Sequence, residues 1–159
     1  MTHFYVLLLA LGIGFVAGLR SLTPPAVVAW AAFLHWINLS HTWAAWVGTL
    51  AAVIVFSVLA VGELFLDKQP KTPSRTAPPS FAARILLGAF AGAVIGTAWG
   101  YTWTALGAGV IGAVLGTLGG YQARTHLVAS HGHDLPIALL EDAVAVLGGF
   151  ALAAVTAVL

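Results

Sequence analysis

The chain has 159 residues, of which 60% are hydrophobic and 7% charged, with a formal net charge of +1 and a mean hydropathy of +1.00. An average soluble domain carries about 25% charged residues. This composition therefore excludes a soluble globular protein and a disordered tail, and so small a net charge excludes a nucleic-acid binder. There is no cysteine, so disulfides, thiolate metal ligands and a cysteine nucleophile are excluded too.

A helix needs about 20 mostly apolar residues to cross a bilayer, with a lower limit near 17. Charges, prolines and polar clusters divide the apolar text into six predicted spans. Span A covers 4–19 and ends at Arg20. Span B covers 22–39, opening on Thr23-Pro24-Pro25, and span C covers 43–66, stopping at Asp67. Spans D (81–100) and E (104–123) are glycine-rich, and span F covers 136–159. The fold expected is all-α: a polytopic transmembrane helix bundle forming one domain over 1–159, with hairpins 4–39, 43–100 and 104–159. Span B is short enough to be re-entrant, which would leave five crossings. No Lys or Arg precedes the first apolar run, so it does not read as a signal peptide.

All six basic residues fall in alternate connections: Arg20, then Lys68, Lys71, Arg75 and Arg84 in the polar loop 67–84, then Arg124. The positive-inside rule puts those connections in the cytoplasm and both termini outside. Trp36, Trp43, Trp46, Trp99, Tyr101 and Trp103 gather at the opposite turns, as an interfacial aromatic belt does. Hairpins 4–39 and 104–159 echo each other faintly, each with an Arg at its inner turn and a Pro opening its second helix, an internal duplication of the kind transporters use.

Gly88, Gly92, Gly96 and Gly100 follow a four-residue period in span D, and Gly112, Gly116 and Gly120 do so in span E. Such faces let helix backbones approach closely, either within one subunit or at an oligomer seam. Spans A, D and E offer more small-residue surface than one hairpin uses, which predicts a homo-oligomer, a dimer in the simplest case.

Ionisable groups at membrane depth are costly and tend to mark sites. Arg20, Glu63, Asp67, Arg124, Glu141 and Asp142 are the candidates for a substrate or ion pathway opening to the cytoplasm. The same groups also serve as staples between helix ends, with Glu63 and Glu141 pairing with Arg20 and Arg124. In the polar loop, Lys71, Ser74, Arg75 and Thr76 suit an anionic small molecule or a lipid headgroup. His126, His131, His133 and Asp134 lie in a hydrophilic stretch and read as loop residues rather than a metal site, and no cofactor is expected. No Gly-x-Ser-x-Gly, P-loop, His-Glu-x-x-His or dinucleotide fingerprint occurs, so no enzyme activity is expected.

The run from Gly62 to Pro79, Gly-Glu-Leu-Phe-Leu-Asp-Lys-Gln-Pro-Lys-Thr-Pro-Ser-Arg-Thr-Ala-Pro-Pro, resembles the hallmark of domain-of-unknown-function family forty-one twenty-six, a group of small bacterial membrane proteins. The resemblance extends to 17–26, 120–124 and 138–143, and so covers nearly the whole chain. It implies a multi-pass protein of a bacterial inner membrane and names no substrate. Two function classes fit the residues. One is a small transporter or lipid-handling protein with a charged cytoplasmic site. The other is a structural subunit in which the charges are staples.

Overall fold

The computed structural model describes residues 2–67, 74 and 76–159, and every element among them is helical. The order is α1 (Thr2–Leu19), α2 (Thr23–Phe33), a short 3-10 turn (Ala45–Gly48), α3 (Leu50–Leu66), α4 (Pro78–Thr97), α5 (Thr102–His131) and α6 (Asp134–Thr156). Local chemistry sets several boundaries. Prolines occupy the first turns of α2 and α4, where a missing N–H is no loss. The Thr49 hydroxyl caps α3 by accepting from Ala52 N. Gly132, at φ 72°, ends α5 in the left-handed conformation.

Helices α1, α4 and α5 form the tightest part of the bundle. α1 runs parallel to α5, with His3 beside Thr104 at one end and Gly18 against Thr117 toward the other. α4 runs antiparallel to α5, with Gly96 at Ala105 and Gly88 at Ala113. The glycine faces are filled inside the protomer. Gly112 and Gly116 lie on the α1 backbone at Leu11 and Phe15, while Gly88 and Gly92 meet Gly109 and Ala105 of α5. Gly120 is also buried, but Gly100 is not part of this packing: it sits in the α4–α5 turn at φ 76°, with open space around it. The small-residue surface expected to form an oligomer seam is thus consumed by α5 packing on two neighbours at once.

The predicted span B is shorter than expected. Its helix has 11 residues, about 16 Å of rise, and stops at Phe33. Thr23 to Ala29 are buried without interruption, so α2 is enclosed rather than lipid-facing. The chain continues through an irregular stretch, turning at His35 and His41 with φ of 60° and 63°, values that His tolerates better than most residues. Ile37, Leu39, Ala44 and Val47 of that stretch are buried. Irregular backbone at membrane depth survives only under such cover. Span C correspondingly begins at Leu50, not Trp43. Span E is longer than expected: α5 continues past Ala123 to His131, so His126 is on a helix.

Four helices, α1, α4, α5 and α6, are long and apolar enough to cross a membrane, and α2 and α3 are apolar but shorter. α3 and α6 flank α2 and touch the α1–α4–α5 core lightly. Their outward faces expose Ile54, Val58 and Phe65 on α3, and Leu139, Leu147 and Val155 on α6, as lipid-facing surfaces do. The aromatic residues meet at one end: Trp43 Nε1 donates to Thr97 Oγ1 at 3.0 Å, Trp46 contacts Phe56 and Phe90, and His3 stacks on Tyr101 at 4.2 Å.

Candidate functional site: a charge network at a helix break

Between α1 and α2 the chain reverses within a few residues at the end opposite the aromatics. Two helix ends are left inside the protein, each needing partners for its backbone groups. Opposite charges from other helices supply them. Arg84, buried on α4, donates from Nη1 to the carbonyls of Gly18 (2.8 Å) and Leu19 (2.9 Å), the C-terminal end of α1. Glu63, buried on α3, accepts at the start of α2: Oε1 from Ser21 N (2.8 Å) and Ser21 Oγ (2.5 Å), and Oε2 from Leu22 N (2.8 Å). A cation at a helix C-terminus and an anion at an N-terminus is the arrangement the helix dipoles favour.

Arg20 lies between these two caps, with 1% of its side chain exposed. Its Nε donates to Asp142 Oδ1 at 2.6 Å, and its Nη1 pairs with Asp67. Asp67 ends α3 and Asp142 is in α6, so one guanidinium ties both flanking helices to the α1–α2 junction. The Arg84 Nη2 stands 3.9 Å from the same Asp67 carboxylate. An unpaired charge here would be strongly destabilising, whereas a hydrogen-bonded pair offsets most of the desolvation cost.

A second pairing adjoins the first. Arg124 on α5 grips Asp134 through two parallel bonds, Nε to Oδ1 at 2.9 Å and Nη2 to Oδ2 at 2.7 Å, and its Nη1 is 3.7 Å from Glu141. Tyr121, Thr125, Val128 and Ala129 form a shallow groove with Arg124 and Asp134, about 420 Å³ in volume. Consecutive residues Glu141 and Asp142 link the two pairings.

All six predicted pathway residues therefore gather at one end, where Arg124 meets Glu141 as expected but Arg20 takes partners other than Glu63. Glu63 serves the backbone of α2 rather than Arg20, and Arg20 takes Asp67 and Asp142. Arg84 is the residue sequence reasoning passed over: counted with the polar loop, it lies inside α4 among Ala83, Ile85 and Leu86. Its position in apolar text was the available signal. Of the expected headgroup contacts, Ser74 and Thr76 are exposed and hydrogen-bonded to each other at 2.9 Å. Lys71 and Arg75 lie outside the described residues.

A bundle that is all-helical among the described residues, with several apolar helices and its described charges gathered at one buried junction and its surroundings, defines a multi-pass integral membrane protein. The chain belongs to the family described as Domain of unknown function (DUF4126), which matches residues 7–159. No curated protein and no solved structure matches it.

Proposed function

We propose that this protein is a small transporter that moves a polar solute or a lipid headgroup past its charged end, and that the Arg20 network is the closed gate. One observation carries the reading: Arg20 bridges a carboxylate at the end of α3 and one within α6, two helices that pack on the glycine-lined core far less than α1, α4 and α5 pack on one another. Ion pairs are therefore what hold that end shut. In this reading the protein sits in a bacterial inner membrane, the charged end faces the cytoplasm, and both termini face outward. The basic loop then rests on anionic headgroups.

A purely structural role is favoured by a different observation: Glu63 and Arg84 both cap helix ends. Spin labels at Phe65 on α3 and Leu139 on α6, both exposed, separate the two readings. A gate gives two distance populations in lipid vesicles, with Arg20→Gln enriching the longer one and raising the leak of small polar solutes. A single distance, unchanged by the substitution and without leak, would overturn the transport reading.

A further inference from the structure

Free helix ends inside a membrane protein attract ions, cations to the terminal carbonyls and anions to the terminal amides. At the α1–α2 break both places are occupied by the chain itself, by the Arg84 guanidinium and the Glu63 carboxylate. A neutral polar group lies at the same break. The Thr23 hydroxyl, in the first turn of α2, is 3% exposed and has no hydrogen-bond partner among the described residues. Two backbone acceptors precede it closely in the chain. In a helix the carbonyls of Arg20 and Ser21 would receive the amides four residues on, but those residues are Pro24 and Pro25, which have no N–H. A carbon added at Gly149 of α6 would meet Val27, Val16 and the Thr23 methyl group, so α6 packs against this turn.

We propose that the Thr23 hydroxyl binds a buried water molecule at the α1–α2 break, next to the Arg20–Asp142 pair. The ligand class follows from the donors and acceptors: a hydroxyl that both gives and takes, and carbonyls that only take, suit a small neutral molecule with two protons to donate. Buried waters typically make about three hydrogen bonds to polar groups that the protein leaves unsatisfied. Valine has nearly the shape of threonine, so an apolar side chain would fill this place without an orphaned hydroxyl if the break were dry. The site makes the junction wet at one point. It does so whether or not the protein transports anything.

Water-edited solid-state NMR of the protein in lipid vesicles tests this. Magnetisation from water should reach Thr23 as fast as it reaches exposed loop residues, and several-fold faster than it reaches Val27 and Val28. A build-up at Thr23 as slow as at those two valines would overturn the proposal. In Thr23→Val the fast transfer to position 23 should disappear, while Thr23→Ser keeps it. Persistence in the valine variant would overturn the assignment to the hydroxyl. Because the first measurement uses the unaltered protein, a variant that fails to fold does not remove the test.

Discussion

Arg20 has two acidic partners, and that count governs what substitution does to it. Removing one member of a buried ion pair costs on the order of 3–5 kcal/mol. Arg20→Gln should approach that, because it leaves Asp67 and Asp142 facing each other. Asp142→Asn should cost less, since Asp67 still balances the guanidinium. Exchanging the charges of residues 20 and 142 should not restore stability: an acid at position 20 would meet Asp67. Thermal unfolding in detergent checks all three, and recovery in the exchanged pair would show that Asp67 is not a true partner. Glu63→Gln should lower stability by about 1–3 kcal/mol, because a neutral amide keeps only one oxygen for three donors. The gathering of these charges was legible in the sequence, since so few charges exist that each has few partners. Which carboxylate meets which arginine was not. That depends on helix rotation, which the spacing of charges in separate spans does not determine.

Glycine spacing and the short turn between spans D and E announced the packing of α4 on α5, but not that of α1 on α5. α5 presents Gly112 and Gly116 to α1 and Gly109 to α4, and α1 is distant in sequence from α5. Adding a side chain larger than a hydrogen there drives atoms into backbone, which cannot move aside as a flexible side chain does. Overpacking typically costs 1–3 kcal/mol, so Gly112→Leu, which opposes the Leu11 carbonyl, should reach the top of that range or fail to assemble. Gly119→Leu should be tolerated, as nothing lies within 4 Å of its added carbon. Yield of monodisperse protein and melting temperature read both. The ends of α2 and α5 were the least legible boundaries. The stretch after Phe33 keeps apolar residues although the helix stops, because Ile37, Leu39 and Val47 are covered by protein while His35, Asn38, Ser40 and His41 face outward. The residues after Ala123 turn polar although the helix continues, because hydrogen bonding inside α5 does not need an apolar surround.

For the molecule as a whole, the alternation of basic and aromatic turns predicts opposite exposure of the two ends. Cysteines placed at Ser74 and Thr42 should react from opposite sides of sealed vesicles, and reaction from one side would contradict the proposed topology. The oligomer expected from spare glycine faces has lost that support, since those faces are used within the chain. If a dimer forms through the exposed apolar face of α3, Val58 and Phe65 are in its contact. Phe65→Ala with Val58→Ala should then reduce the solubilised mass to one protomer, while Gly92→Leu should disrupt folding instead. The general architecture was visible in the spacing of apolar runs. The division into a tight α1–α4–α5 core with lightly held flanking helices was not, because it depends on which apolar faces meet protein and which meet lipid.

The parallel contact of α1 with α5 also has a consequence for how the chain is made. Gly14 and Gly109 touch across 109 − 14 = 95 positions. At translation speeds of about 5–20 residues per second, the first helix waits roughly 5–20 s for the partner that covers its glycine face. Asp67 emerges before α5, while Asp142 emerges after it. During that interval Arg20 has half of its final pairing, and the newborn segment is the form most open to quality-control proteolysis. A chain stopped after Thr97 should be cleared from the membrane far faster than the full-length protein in pulse–chase labelling. Equal lifetimes would mean that the early helices hold together without α5.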